Sequence, residues 1–131
     1  NIKTPSIMKK TSTDLGLLIM RLGFSAGMLT HGYGKLLRVI EGNFQFKNPI
    51  GIGSELSLIL VTFSEFIAPI FIILGWKTRL FTLFPTITML VAFTIAHDGD
   101  PFSTKEKSFV YLIAFLTLYF TGPGKYAFGK E

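Results

Sequence analysis

Residues 56–74 read "LSLILVTFSEFIAPIFIIL", an apolar run with one carboxylate, Glu65, at its centre. The run nearly reaches the roughly 20 apolar residues that a helix needs to cross the hydrocarbon core of a bilayer. It shows no strict alternation of apolar and polar residues, and it is too long for an ordinary strand. A helix also satisfies its own backbone hydrogen bonds in lipid, whereas an open sheet does not. The run therefore predicts a membrane-spanning helix.

Three more apolar runs extend this prediction along the chain. They cover residues 15–37, 80–96 and 108–121, and the last is so short that it needs flanking residues or a partner to complete a span. Together with the first run they predict a single domain over residues 1–131, an all-α integral membrane protein built as a four-helix bundle. The alternative that the same runs permit is the buried helical core of a soluble protein.

The composition supports the membrane interpretation. Hydrophobic residues make up 49% of the chain and charged residues 16%, against about 25% charged residues in soluble domains. The net charge of +5 does not indicate nucleic acid here, since the basic residues lie mostly beside the apolar runs, where lipid headgroups would meet them. We therefore expect lipid and no nucleic acid among the partners, with Lys77 and Arg79 as anchors to lipid or to a partner.

Four spans would place both termini on the same side of the membrane. The terminal side would carry Lys3, Lys9, Lys10, Lys77, Arg79, Lys125 and Lys130, and the other side Lys35, Arg38, Lys47, Lys105 and Lys107. Because basic residues favour the cytoplasm, this difference predicts cytoplasmic termini. The link at residues 41–55, rich in Gly and Phe, predicts a loop that lies at the membrane interface on the outer side.

Two charges interrupt the apolar runs. Glu65 lies at the predicted membrane midplane, where an ionisable group costs a few kcal/mol and normally faces the bundle or a cavity and has a partner. Pro69 cannot donate a backbone hydrogen bond to the Glu65 carbonyl, which leaves that carbonyl free. We predict that Arg21 and Glu65 form a structural charge pair within the membrane, with Arg79 as the alternative partner.

A second polar group lies in "THGYGKL", residues 30–36. His31 and Lys35 are one helical turn apart, and the glycines between them would let a neighbouring helix come close. His97 ends the third run on the same side of the predicted bundle. The alternative is that His31 and Lys35 extend to the headgroups. The sequence predicts an outer-side polar pocket formed by His31, Lys35, Glu65 and His97.

Such a pocket would suit a quinone. A quinone ring needs hydrogen-bond donors at its carbonyls, a group that exchanges protons and an apolar slot for its tail. The spacing of the histidines and carboxylates matches no metal-ligand pattern, so no metal site is predicted. With no cysteine and two histidines, the chain has no ligand set for haem or an iron–sulfur cluster, and we expect no flavin. Electron transfer would therefore need a partner protein.

Four segments in this order resemble the DoxX family of small four-helix bacterial membrane proteins. They are "RLGFSAGMLTHGYGKL", "FSEFIAPIFIILGWKTRL", "MLVAFTIAHDGDPF" and "GPGKYAFGKE". The family pattern maps onto Arg21, His31, Gly32, Lys35, Glu65, Thr78, Arg79, Gly122, Pro123 and Gly124. The resemblance covers nearly the whole chain and implies a multi-pass protein of the bacterial inner (cytoplasmic) membrane.

The family includes DoxD-like subunits of thiosulfate:quinone oxidoreductases and members linked to complexes that handle oxidative or thiol stress. The resemblance therefore implies a membrane subunit of an oxidoreductase complex that interacts with quinone through the polar pocket. Expected partners are other membrane or redox subunits or further copies of the chain. Two alternatives stay open: an accessory subunit without chemistry of its own, and a conduit for protons or small solutes through Glu65. No motif assigns a catalytic activity.

Overall fold

The computed structural model describes residues 6–129, which form four long helices and no strand. The helices are α1 (Ser6–Ile40), α2 (Ser54–Leu74), α3 (Thr78–Ala96) and α4 (Phe102–Thr121). The all-α prediction is confirmed, and each apolar run lies within one helix. Helices α1 and α4 begin earlier than predicted because polar turns with good helix formers precede their apolar runs. Lys3 and Lys130, which were used to predict the topology, lie outside the described residues.

Consecutive helices run antiparallel, so the described chain begins and ends at the same end of the bundle. The backbone N–H of Lys125 donates to Asp14 Oδ1 at 3.0 Å, which joins the segment after α4 to the first turns of α1. We call this end, where α1 and α3 begin and α2 and α4 end, the Arg21 end. The opposite end, with the links 41–53 and 97–101, is the Lys35 end.

The surface of the bundle is far more apolar than its interior. Large apolar side chains are exposed on all four helices, as at Ile19, Ile59, Ile87 and Phe120. Soluble monomers rarely expose contiguous apolar surface on this scale. By length and composition, α2 and α3 are each able to cross a membrane. The exposed apolar surface is therefore one that lipid would cover.

The interior combines a small apolar core with buried hydroxyl groups. Small and hydroxylic side chains are typical of helix interfaces in membranes, because they let backbones approach closely. The apolar core consists of Met28, Ile72, Met89, Phe115 and Leu118. The buried hydroxyl residues around it are Ser25, Ser57, Thr62, Ser64, Thr78, Thr82 and Thr86.

Both of the most apolar helices contain a π-helical turn. In α2 the turn covers Phe63–Ile67, and a single residue separates it from Pro69. In α3 the turn covers Ala92–Ala96. The N–H of Ala68 donates to the Phe63 carbonyl, five residues back, so the helix widens just before the proline. Such turns are rare in proteins overall, and where they do occur they are often at functional sites. Both turns lie beside residues of the predicted polar pocket. The first contains Glu65, and the second directly precedes His97.

Arg21 is the largest fully buried side chain, and it binds backbone carbonyls. It is 1% exposed. Its Nε donates to the Ile72 carbonyl at 3.0 Å and its Nη2 to that of Ile73 at 2.8 Å. Its Nη1 donates to the carbonyls of Pro123 and Tyr126 at 3.0 and 2.6 Å. The guanidinium therefore joins α1, the last turn of α2 and the segment after α4.

The predicted charge pair between Arg21 and Glu65 is therefore wrong. Arg21 lies level with the last turn of α2, and Glu65 lies about two turns deeper in the same helix. In the described residues, none of the Arg21 donors meets a carboxylate. The acceptors are instead four backbone carbonyls. Two lie in the last turn of α2, where a helix leaves carbonyls without intrahelical partners, and two lie in the segment after α4. The Leu74 carbonyl is also satisfied, by the N–H of Phe128 at 2.9 Å.

We expect Arg21→Met to destabilise the detergent-solubilised protein by about 2–4 kcal/mol, because it leaves buried carbonyls without donors. The stability of Arg21→Lys should fall between that of the wild type and that of Arg21→Met, because an ammonium lacks the planar fork that reaches several acceptors. Thermal unfolding of the purified protein measures both effects. Lys10→Met, which removes an exposed cation from the same helix, is the control. Equal melting temperatures of Arg21→Met and Lys10→Met would contradict this structural role of Arg21.

Candidate functional site

A cavity of about 400 Å³ lies between α2 and α3 at the Lys35 end. Its walls are mainly apolar, and the link between α1 and α2 forms its roof. Arg38 at the end of α1 stands over the Phe46 ring at 5.7 Å, which holds the roof against the bundle. The predicted interfacial loop is thus part of the cavity. The roof residues are Phe46, Lys47, Pro49, Ile50 and Ile52.

Three of the four predicted pocket residues line this cavity: Lys35, Glu65 and His97. Lys35 Nζ donates to Glu65 Oε1 at 2.6 Å, with 26% of the Lys35 side chain exposed and 4% of that of Glu65. The partner of the intramembrane carboxylate is therefore an ammonium from α1. A lysine has three donors, so Lys35 retains others that can reach a ligand while it neutralises Glu65.

Glycine at position 32 makes the Lys35–Glu65 contact possible. Gly32 is buried, and a Cβ added there would overlap the backbone carbonyl of Glu65. The α1 and α2 backbones therefore touch within one turn of Lys35. This contact occurs at the π-helical turn Phe63–Ile67. The sequence prediction that the glycines allow close helix approach holds for Gly32, whereas a Cβ at Gly34 would meet nothing within 4 Å.

His97 faces the cavity with a fixed hydrogen-bonding role. Its Nδ1 lies 3.0 Å from Asp100 Oδ2. A carboxylate only accepts, so Nδ1 carries a proton, and in the neutral ring Nε2 is then an acceptor. The π-helical turn ends at this residue, where the His97 N–H donates to the Ala92 carbonyl at 3.1 Å. His97 thus places a hydrogen-bonding ring nitrogen beside the cavity, and the role of Asp100 in orienting it was not predicted from the sequence.

Ser57 adds a polar group that sequence reasoning missed. It lines the cavity and is 4% exposed, and its hydroxyl has no hydrogen-bond partner among the described residues. A buried hydroxyl without a partner costs free energy. An unpaired buried hydroxyl therefore lies beside the cavity, on the same helix as Glu65. Its only sequence signal is its position, two turns before Glu65.

The fourth predicted residue, His31, lies elsewhere. It is absent from the cavity lining, and its ring packs edge-on against Tyr111 of α4, with ring centroids 5.8 Å apart. The prediction that both histidines share one pocket is therefore wrong for His31. Its neighbour Gly32 faces α2, and one residue of helical rotation, about 100°, turns His31 towards α4.

Lys77 and Arg79 lie at the Arg21 end, far along the bundle from the cavity. Arg79 Nε donates to the Tyr119 carbonyl at 3.1 Å, and Nη2 to that of Phe120 at 3.4 Å. Arg79 therefore caps the last turn of α4. Lys77 stands over the Trp76 ring at 5.5 Å. Anchoring of these two residues to lipid stays a prediction.

The cavity combines apolar walls with a few polar groups. Its apolar walls and few polar groups are typical of small-molecule sites. Within residues 6–129, no three His, Cys, Asp or Glu side chains come close enough together to hold a metal ion. The polar groups Lys35, Glu65, Ser57 and His97 can donate, accept and exchange protons. They would suit a flat headgroup that bears oxygen atoms.

Comparison with known proteins gives one match. A family model described as DoxX matches residues 16–98, more than half of the chain. The matched region includes the cavity walls from α1, α2 and α3 and two of the four carbonyls that Arg21 binds, those of Ile72 and Ile73. Curated proteins and solved structures give no match.

We expect Gly32→Ala to destabilise the protein by about 1–3 kcal/mol, because the new methyl group forces α1 away from the Glu65 carbonyl. Gly34→Ala is the matched control. It adds a methyl group where there is space, and alanine is the better helix former, so a small stabilisation is expected. Thermal unfolding in detergent measures both. Similar effects of the two variants would contradict the close contact at Gly32.

Proposed function

We propose that this chain, which belongs to the DoxX family, is a quinone-binding membrane subunit of an oxidoreductase complex. The observation that supports this is the cavity between α2 and α3, where an apolar slot ends at Lys35, Glu65 and His97. Quinone sites need such a slot together with groups that hold carbonyl oxygens and exchange protons.

Each polar group has a role in this proposal. Lys35 donates to one carbonyl oxygen of the ring through a donor that Glu65 does not use. His97, with Nδ1 bonded to Asp100, holds the other oxygen through Nε2, which donates to a quinone carbonyl when the imidazole is protonated and accepts from a quinol hydroxyl when it is neutral. Glu65 and His97 exchange protons with the bound ring. The hydroxyl of Ser57, which has no partner in the described chain, supplies a further hydrogen bond.

The position of the cavity supports a ligand that arrives from the bilayer. Leu60 of α2 and Ile87 of α3 line the cavity, and they are 47% and 56% exposed on the lipid-facing surface. A lipid-soluble molecule could pass between them without crossing water. Lys47 in the roof is exposed to the aqueous side. The cavity therefore has an apolar side and a polar side, as an amphipathic ligand requires.

Electrons must come from or go to a partner in this proposal. The sequence has no cysteine and two histidines, and His31 and His97 have other contacts. A haem or iron–sulfur centre would therefore belong to another subunit. The proposed complex brings such a subunit to the quinone, and the DoxX chain supplies the binding site.

The proposed membrane arrangement has four spans in the inner membrane and cytoplasmic ends. Support comes from α2 and α3, which are each apolar and long enough to cross a membrane, and from the basic residues at the Arg21 end, among them Lys9, Lys10 and Lys125. In this orientation the cavity opens near the outer side.

Single cysteines test this topology cleanly, because the chain has none of its own. We expect Lys10→Cys and Lys125→Cys to react with a membrane-impermeant maleimide only after the cells are permeabilised. Glu106→Cys, at the other end of the bundle, should react in intact cells. All three residues are exposed. Labelling of Lys10→Cys and Lys125→Cys from different sides would reject the four-span arrangement, and the reverse pattern would reject cytoplasmic ends.

The quinone proposal is tested with the protein in lipid nanodiscs and a tail-free quinone analogue. We expect the wild type to bind the analogue and His97→Ala to bind it roughly fivefold more weakly, the effect of one lost hydrogen bond. His31→Ala is the matched control, since it removes the same side chain from outside the cavity, and its affinity should equal that of the wild type.

Two outcomes would count against the proposal. If the wild type binds no analogue and copurifies with partner proteins, the accessory-subunit alternative gains support instead. If His97→Ala and His31→Ala weaken binding equally, the ligand does not occupy the cavity. Melting temperatures of both variants, which should stay near that of the wild type, separate a lost contact from a lost fold.

A further inference from the structure

A row of four aromatic rings leads away from the cavity along the groove between α2 and α3. Phe84 lines the cavity and is the first ring. Phe81 follows with a centroid distance of 6.1 Å, and Phe71 stacks on Phe81 at 4.4 Å and an interplanar angle of 15°. Trp76 is the last ring, 5.4 Å from Phe71. We call these residues the aromatic row.

Helical periodicity places the row on the same face as the cavity wall. Residues 81, 84, 88 and 91 of α3 recur at spacings of three and four and therefore share one face. Phe84, Thr88 and Val91 line the cavity. Phe81 continues this face towards the Arg21 end. The row thus extends the cavity wall and is not a separate patch.

The rings are open to the surrounding lipid. Phe71, Phe81 and Phe84 are half-buried, and Trp76 is 42% exposed at the link between α2 and α3. Tryptophan is typical of the membrane–water interface. The row therefore runs from the cavity wall, near the middle of α3, to the link between α2 and α3 at the Arg21 end.

We propose that the aromatic row binds the isoprenoid tail of the ligand whose headgroup occupies the cavity, so that the substrates are long-chain prenylquinones. This inference rests on the proposed function, because it takes the cavity as the headgroup site. The continuity through Phe84 supports it, since a chain leaving the cavity along the α3 face meets Phe81 next.

Selection of a tail in lipid has to come from packing. Lipid chains are as apolar as the protein surface, so burial gives little driving force between them. Rigid aromatic rings lose little rotamer freedom on contact and present flat faces. The planar double bonds and methyl branches of an isoprenoid chain can stack on such faces, whereas a saturated chain has no flat unit to offer.

The test is a competition experiment in nanodiscs. A tail-free quinone analogue is bound first and is displaced by quinones of increasing prenyl length, each present at the same mole fraction in the lipid so that partitioning is equal. We expect the affinity to rise over the first few isoprene units and then to level off. A quinone with a saturated chain of equal length should bind roughly two- to tenfold more weakly, the range of one favourable aromatic contact.

Phe81→Leu removes the central ring of the row while it keeps apolar volume. We expect this variant to lose most of the dependence on prenyl length and to bind the tail-free analogue as the wild type does. Phe120→Leu on α4 is the control, because Phe120 is a lipid-exposed phenylalanine outside the row and the cavity. The affinity of Phe120→Leu should depend on prenyl length as strongly as that of the wild type.

The outcomes separate this inference from the proposed function. Failure of the tail-free analogue to bind the wild type removes the headgroup site and both proposals with it. Binding of that analogue without any dependence on prenyl length, or with a dependence that Phe81→Leu leaves unchanged, overturns the tail site alone. A lower melting temperature of Phe81→Leu with an unchanged length dependence also overturns it, since the ring then only joins α2 to α3.

Discussion

A guanidinium inside an apolar bundle needs acceptors for its donors, and in this protein the end of α2 and the segment after α4 supply them. Arg21 binds four carbonyls from the last turn of α2 and the segment after α4. Buried carbonyls also need donors, and those of Ile72 and Ile73 lie in the last turn of α2, where intrahelical partners run out. The guanidinium therefore supplies donors to these carbonyls, and the carbonyls supply acceptors to the guanidinium. The contact fixes the height of α1 against α2 and returns the C-terminal segment to the same end of the bundle.

The same constraint explains why Lys35 pairs with Glu65. With Arg21 held at the end of α2, the part of α1 that reaches the depth of Glu65 is the turn that contains Gly32 and Lys35. Gly32 brings the two backbones into contact, and the long side chain of Lys35 spans the remaining distance to the carboxylate. The charge that α1 offers Glu65 is therefore selected by register along the helix. A salt bridge of this kind leaves further lysine donors directed at the cavity.

The sequence predicted the helices well and the contacts between them less well. The four apolar runs identify all four described helices, since long unbroken hydrophobicity has few other structural meanings. The Arg21 contacts could not be predicted, because backbone carbonyls are present at every residue and leave no signature in sequence. Lys35 and His97 line the cavity and His31 does not. The spacing of residues along the sequence shows which of them share a face of one helix. It does not show how α1 is rotated relative to its neighbours, and that rotation decides whether His31 or Lys35 faces α2.

The cavity follows from two departures from regular helix in α2 and α3. The turn Phe63–Ile67 widens α2 before Pro69, and the turn Ala92–Ala96 widens α3 before His97. Two regular helices joined by so short a link would pack closely along their whole length. The cavity instead lies beside both turns, and the cavity wall carries a hydroxyl without a partner at Ser57. Wider turns, unfilled volume and an unpaired buried hydroxyl each cost stability. In the described residues these costs coincide where α1 presents an ammonium to a buried carboxylate, and the ligand that we propose for the cavity would offset them.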